Sequence, residues 1–319
     1  MLDNSMGATV GDYDLDGKLD VLFTSTSITN TDLQSLNSVA RTAGMILNFR
    51  GNHLYKNLGG RVFEDVTSST GIRESGWGWG AFMFDFDNDG DLDAFNGNGM
   101  DDPETTDDDF AVNQRARLYV NQGVDESFHM VDEAFVRGIA DVGDNRGAMT
   151  LDYDKDGDLD IVLINHGAEM KLYRNNNANY NDYLKVYVYE AGGRVSVGAK
   201  VWVQLFGDDD GDGLTYLREI RSNAAFLGQS EVYAHFGFGK ISSMATMIGK
   251  SEDKILIYNV TVMWPIVNGK QYVESYLGNI PLRSEISVRR PSLHYGHERV
   301  IHHVYNGRAA LNISCGKNS

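Results

Sequence analysis

The sequence predicts an all-β chain, and three observations carry that prediction. Glycine is abundant, 35 residues against 4 prolines, as expected where many tight turns join short strands. One acidic segment recurs three times, and each copy runs into a short apolar stretch rich in strand formers. Beyond Asn175 the repeat stops, and apolar and polar residues alternate with the period of two that half-buried strands require.

The acidic segment comes first along the chain. Its copies are Asp12-Tyr-Asp14-Leu-Asp16-Gly17-Lys18-Leu-Asp20, Asp85-Phe-Asp87-Asn-Asp89-Gly90-Asp91-Leu-Asp93 and Asp152-Tyr-Asp154-Lys-Asp156-Gly157-Asp158-Leu-Asp160, all reading D-x-D-x-D-G-x-L-D. The likeness extends upstream to Gly7-Ala8, Gly80-Ala81 and Gly147-Ala148, and downstream to the tetrads Leu54-Tyr55-Lys56-Asn57, Leu118-Tyr119-Val120-Asn121 and Leu172-Tyr173-Arg174-Asn175. The whole unit is as long as one four-stranded blade of a radial repeat fold. The gap between acidic segment and tetrad shortens from copy to copy, so insertions concentrate in one connection. There residues 30–47 could form a helix and residues 101–109 an acidic surface loop.

Ligand counting says what the segment can do. Carboxylates at positions 1, 3 and 5 converge on one point if the chain curls around it, and Gly at position 6 permits the curl. The carbonyl of position 7 (Lys18, Asp91, Asp158) and the carboxylate of position 9 (Asp20, Asp93, Asp160) complete six or seven hard oxygen ligands, which suits Ca2+ better than Mg2+. Asp and Gly also build ordinary solvated turns. Four carboxylates within nine residues, however, repel one another unless a cation lies between them. The runs that follow, Val21-Leu22-Phe23, Ala94-Phe95 and Ile161-Val-Leu-Ile164, are too short for helices, so each loop joins two strands. Three calcium loops are expected.

The second half follows with Leu184–Tyr189, Ala199–Leu205 and Ile255–Trp264, read as antiparallel strands of a second, smaller β-domain. Here Gly198-Ala-Lys-Val201, Arg218-Glu-Ile220, Phe226-Leu-Gly-Gln-Ser230, His235-Phe-Gly-Phe-Gly239 and Val262-Met-Trp-Pro265 with Asn268-Gly269 resemble the ASPIC/UnbV domain in order and spacing. The acidic repeats resemble FG-GAP/VCBS blades, and the pairing of the two resembles the cartilage acidic protein family. The resemblance implies an extracellular, partial β-propeller over residues 1–179, a β-sandwich-like domain over 180–290 and a tail over 291–319. It also implies more blades than the three visible here, with N-terminal blades lacking.

Several residues stand apart from the repeat. Asp208, Asp210 and Asp212, with Glu219 downstream, match an EF-hand spacing, but strand-like sequence flanks them, leaving either a fourth calcium loop or an acidic hairpin tip. Asn259-Val-Thr261 and Asn312-Ile-Ser314 are glycosylation acceptors by pattern. Trp77 and Trp79 offer either an aromatic platform or blade packing. The tail holds His294, His297, His302 and His303, and the lone Cys315 gives no disulfide argument about compartment.

Charge and motif absences bound the function. With 28 basic against 45 acidic residues, the formal charge of −17 disfavours nucleic acid and anionic lipid. No apolar run is long enough to span a membrane, and residues 1–25 show no leader pattern. No nucleophile, zinc-protease or phosphate-loop motif is present. The expectation is a non-enzymatic calcium-binding extracellular interaction, adhesion or matrix module whose partner is a protein, a glycan or copies of itself. The alternatives are a filament or sheath subunit assembled by strand complementation, and a glycan-binding or glycan-processing protein.

Overall fold

The structure is a computed structural model, and it describes residues 5–26, 51–99, 114–176, 180–205, 214–222, 225–248, 252, 257–290, 301–306 and 309–311. Residues 30–47 and 101–109 lie outside these. The described chain is all-β, built from five sheets. Three of them are antiparallel meanders, one per acidic repeat. The first contains β1 (Ala8–Gly11), β2 (Asp20–Phe23), β3 (His53–Gly59) and β4 (Val62–Asp65). A single helical turn, α1 (Thr67–Thr70), leads to the second, with β5 (Gly78–Phe84), β6 (Asp93–Asn98), β7 (Arg117–Asn121) and β8 (Met130–Asp132). The third has β9 (Asn145–Leu151), β10 (Asp160–Asn165) and β11 (Lys171–Tyr173).

The three sheets stack face to face because the middle one is apolar on both sides. Along β5 and β6 the side chains alternate between two cores. Ala81, Met83 and Ala94 pack toward the first sheet with Leu22, Leu54 and Tyr119. Phe82, Phe84 and Phe95 pack toward the third, against Ile161 and Leu163 of β10. Phe82 lies 5.3 Å from Phe95 in a stacked pair and 5.0 Å from Phe84 edge to face. The first strands of the sheets, β1, β5 and β9, lie side by side, which is the blade arrangement of a β-propeller.

The remaining strands form a sandwich. One sheet has the order β15-β12-β18-β19-β20 and the other β14-β13-β16-β17, from β12 (Tyr183–Tyr189), β13 (Lys200–Leu205), β14 (Leu214–Glu219), β15 (Ala234–Gly237), β16 (Ile257–Val267), β17 (Lys270–Ile280), β18 (Ser284–Arg289), β19 (Ile301–Asn306) and β20 (Ala309–Leu311). A short helix, α2 (Ile241–Ile248), lies between β15 and β16. Val186 and Val188 of one sheet and Val201, Val203, Val260 and Val262 of the other share one core. At its centre Trp264 is fully buried and donates its indole N–H to the Tyr189 carbonyl across the sandwich, 3.1 Å away. Trp264→Ala should therefore cost about 3–5 kcal/mol of stability, read as a lower denaturant midpoint. One pairing differs from expectation: β12 runs antiparallel to β15 but parallel to β18. Side-chain alternation sets which face is buried and is the same in either direction, so the sequence pattern does not show this.

The segment leading from β14 into β15 covers the inner strands of the blades. Arg221 is half-buried and donates to the Val10 carbonyl, to Thr9 Oγ1 at 2.8 Å and to the Met83 carbonyl at 3.3 Å, joining β1 to β5. Burial pulls its guanidinium down to about 10. Farther along, Ser230 Oγ accepts the Thr150 N–H of β9 at 2.9 Å. The Gly-Ala pairs within β5 and β9 fit here, since a Cβ on Gly147 would sit 3.3 Å from the Leu227 carbonyl and one on Gly80 3.3 Å from Ala225 Cβ. Trp79 is packed between Phe226, 5.5 Å away, and the Arg146 guanidinium, 4.0 Å above its ring, so it serves blade packing. No helix among the described residues is long and apolar enough to cross a membrane.

Candidate metal centres

Each acidic loop leaves the end of an inner strand and turns into the next strand of its sheet. The curl needs two left-handed residues. Gly at position 6 has φ of 80°, 106° and 100° at Gly17, Gly90 and Gly157. Position 4 is left-handed too, with φ of 56°, 57° and 61° at Leu15, Asn88 and Lys155, a requirement the sequence did not reveal.

Backbone amides then fix the carboxylates. Asp12 accepts the Asp16 and Gly17 N–H groups, both at 3.0 Å, and Asp152 accepts those of Asp156 at 3.1 Å and Gly157 at 3.0 Å. The position-5 residues Asp16, Asp89 and Asp156 each accept the N–H of position 7, at 3.0, 3.1 and 3.0 Å. At position 9, one oxygen takes the N–H of position 2, with Tyr13, Phe86 and Tyr153 donating at 3.2, 2.7 and 3.1 Å. Its other oxygen takes the N–H of the tetrad asparagine, from Asn57, Asn121 and Asn175 at 2.7, 2.8 and 2.8 Å. Two of those asparagines also reach the neighbouring blade, since Asn121 Nδ2 donates to the Tyr13 carbonyl at 3.0 Å and Asn175 Nδ2 to the Phe86 carbonyl at 2.6 Å. The tetrad is thus the clasp that closes each loop onto its own sheet and, in the second and third copies, onto the one before it.

The result is three sets of converging carboxylates: Asp12, Asp14 and Asp20; Asp85, Asp87 and Asp93; Asp152, Asp154 and Asp160. In each set one oxygen per residue lies within 4.8 Å of the others. The carboxylates of Asp16, Asp89, Asp91, Asp156 and Asp158 belong to the same loops but stand outside these triads, and Lys18 contributes its backbone at position 7. Asp14 Oδ1, Asp87 Oδ1 and Asp91 Oδ1 are buried without a hydrogen-bond partner. A buried carboxylate oxygen left without a donor costs energy, and a hard cation is the ligand it lacks.

The loops differ in how their charge is balanced. In the first, Lys56 of the tetrad pairs with Asp14 and lies 3.6 Å from Asp16, while Lys18 Nζ lies 2.8 Å from Asp16. In the third, Arg174 lies 2.9 Å from Asp154 and 3.4 Å from Asp156. The second has Val120 at that tetrad position, so no tetrad cation meets its five carboxylates, and Arg218 lies 3.5 Å from Asp85 instead. Burial, followed by the charges of Asp89, Asp85 and Asp87, pushes Asp91 up to about 9. Burial and the neighbouring aspartates likewise raise Asp93 well above the carboxylate range and Asp87 up to about 7. In the first loop burial lifts Asp12 to about 6 and Asp20 to about 7. Asp16 goes the other way: burial opposes ionisation there, but the hydrogen bonds from Lys18 outweigh it.

The remaining candidates are dispersed. Asp208, Asp210 and Asp212 lie outside the described residues. Glu219 is at the far end of β14 from that hairpin tip, roughly 17 Å along the strand from Leu214 at about 3.4 Å per residue, and lines an interior cavity with Arg221. Asn259 is partly buried on β16 and donates to Thr261 Oγ1 at 3.1 Å; Asn312 lies outside the described residues. Of the tail histidines, His302 and His303 fall in β19, and His294 and His297 lie outside the described residues.

Comparison with known proteins meets this geometry at the second loop. The family model for the FG-GAP-like repeat matches residues 43–96, which run from the first sheet through the loop of Asp85–Asp93. Cartilage acidic protein 1 of Homo sapiens is 31% identical to the chain over 122 residues. The chain is related to the cartilage acidic proteins. The homologues of Mus musculus and Xenopus tropicalis are each 30% identical over the same length. The match takes in 37% of this chain and 18% of the human protein's length, so it compares one portion of each cartilage acidic protein with one portion of this chain.

Proposed function

We propose that the chain is a non-enzymatic, extracellular, calcium-binding interaction or matrix module, in which three Ca2+ ions lock the blade loops. The carrying observation is the threefold carboxylate triad with buried, partnerless oxygens on Asp14, Asp87 and Asp91. Each ion would be held by positions 1, 3, 5 and 9 and by the carbonyl of position 7, that is, of Lys18, Asp91 or Asp158. The role is structural: the carboxylates are anchored by backbone amides, and the loops tie neighbouring sheets together. The FG-GAP-like repeat and the kinship with cartilage acidic proteins support the extracellular setting, and the sandwich is the part that resembles an ASPIC/UnbV domain. The partner belongs to the class of extracellular proteins or glycans.

Terbium luminescence tests the reading. Tyr13 and Tyr153 stand at position 2 of two loops, so tyrosine excitation should sensitise bound Tb3+, and calcium should displace it at far lower concentration than magnesium. Absent sensitisation, or equal displacement by both ions, would defeat the proposal.

The filament alternative has one observation in its favour. The third sheet has three strands among the described residues, and its outer strand β11 carries exposed Leu172 beside exposed Met170 and Ile164. A chain that stays monomeric at high concentration in calcium would exclude it.

A further inference from the structure

The second and third acidic loops take hydrogen bonds and a cation from the sandwich domain, whereas the first touches it through Leu15, which packs against the sandwich core. Gly237 of β15 donates its N–H to Asp85 Oδ2 at 2.8 Å, and Gly239 donates to the Asn88 carbonyl at 2.7 Å. His235 Nε2 lies 2.6 Å from Asn88 Oδ1, and Asn181 Nδ2 donates to the Asp87 carbonyl at 2.7 Å. From β14, Arg218 donates to the Gly90 carbonyl at 2.9 Å and lies 3.5 Å from Asp85. At the third loop the buried Lys185 ammonium pairs with Asp152. Asp85 and Asp152 are the position-1 residues, so each of these two loops receives a fixed cation from the sandwich on the equivalent carboxylate.

Packing at position 6 separates the loops in the same way. A Cβ on Gly90 would sit 2.6 Å from the Tyr216 ring, and one on Gly157 1.9 Å from the Tyr183 ring. Around Gly17 of the first loop nothing lies within 4 Å of such a Cβ. Asn88, fully buried, bridges the second and third loops by donating to Asp158 Oδ1 and the Gly157 carbonyl, both at 3.2 Å.

We infer that calcium in the second loop, supported by the third, holds the sandwich domain against the blades, and that the first loop, which meets the sandwich through Leu15, contributes less to that docking. The inference rests on the calcium reading. Asp85, Asn88 and Gly90 take hydrogen bonds from the sandwich only when the loop keeps its curl, and an ion ringed by Asp85, Asp87 and Asp93 enforces that curl. Linkage then works both ways: the docked domain raises the loop's affinity by the factor by which calcium favours docking.

Hydrogen exchange of the full chain, with calcium or with chelator, measures the docking, and calorimetry on the same samples counts the ions. For the natural sequence, calcium should slow exchange of the β15 amides by about tenfold or more, the factor expected of a coupling of about 1.4 kcal/mol. Asp87→Asn should remove one ion from the stoichiometry and abolish that slowing. Asp14→Asn should also remove one ion yet leave most of the slowing in place. Both substitutions replace a carboxylate that has a partnerless oxygen by an amide of the same shape, so folding is retained. If three ions bind but β15 exchange is the same with and without calcium, or if Asp14→Asn abolishes the slowing as Asp87→Asn does, the inference falls and the calcium reading stands. If no ion binds, both fall.

Discussion

Stripping calcium from the purified chain should lower its melting temperature by on the order of 10 °C. Extracellular calcium modules bind with dissociation constants of roughly 10⁻⁴ to 10⁻³ M, so a tenfold excess adds about 1.4 kcal/mol per site, or about 4 kcal/mol for three. At about 2–4 °C per kcal/mol for a domain of this size, the shift is large enough to read in a single scan. The loss should also depend on pH, with a definite sign. Burial and mutual repulsion raise Asp12 to about 6, Asp20 to about 7 and Asp91 to about 9 in the ion-free fold, against an ordinary carboxylate value of about 4. Groups raised on folding contribute stability that is full below the unfolded value and is lost as pH rises through the folded one. The calcium-free chain should therefore weaken from about pH 4 to about pH 9, while calcium, by replacing the protons, removes that weakness. Melting curves at about pH 5 and about pH 8 should show a calcium gain several-fold larger at the higher pH, and a gain independent of pH would contradict the electrostatic account.

The second large effect separates two aspartates of one loop. Asp91→Asn removes a carboxylate that burial and three like charges already resist ionising, and whose Oδ1 has no partner. The calcium-free chain should become as stable as before or more so, while the second loop keeps the position-7 carbonyl for its ion and loses only a neighbouring negative charge. Asp93→Ala removes the acceptor of two buried N–H groups, those of Phe86 and Asn121. At about 1–3 kcal/mol for each buried donor left unmade, this variant should lose roughly 2–6 kcal/mol even in chelator. Denaturant unfolding of the two variants in chelator reads the contrast directly. Equal destabilisation by both would mean that position 7 closes the loop as position 9 does.

Much of this architecture is legible in the sequence because its determinants are local. The D-x-D-x-D-G-x-L-D spacing, the apolar runs after it and the alternation from Leu184 onward each specify structure over a short stretch of chain, and the strands stand where those patterns fall. What stayed hidden depends on contacts between distant residues. The tetrad asparagines recur visibly, but only the fold shows that Asn121 and Asn175 clasp one blade to the previous one. Arg218 and Lys185 are ordinary strand residues by sequence, and their meeting with Asp85 and Asp152 is created by the sandwich docking on the loops. Phe226–Ser230 reads as a resemblance to a domain signature, and its place across the inner strands follows from the small residues at Gly80 and Gly147. The parallel partnership of β12 and β18 was illegible because burial alternation carries no strand direction.

The most direct test is a calorimetric titration of the chelator-stripped full chain with calcium. Three ions per chain is the result the account predicts, with Asp14→Asn, Asp87→Asn and Asp154→Asn each removing one. A folded chain that binds no calcium would contradict it, reducing the three loops to turns clasped by their own backbone.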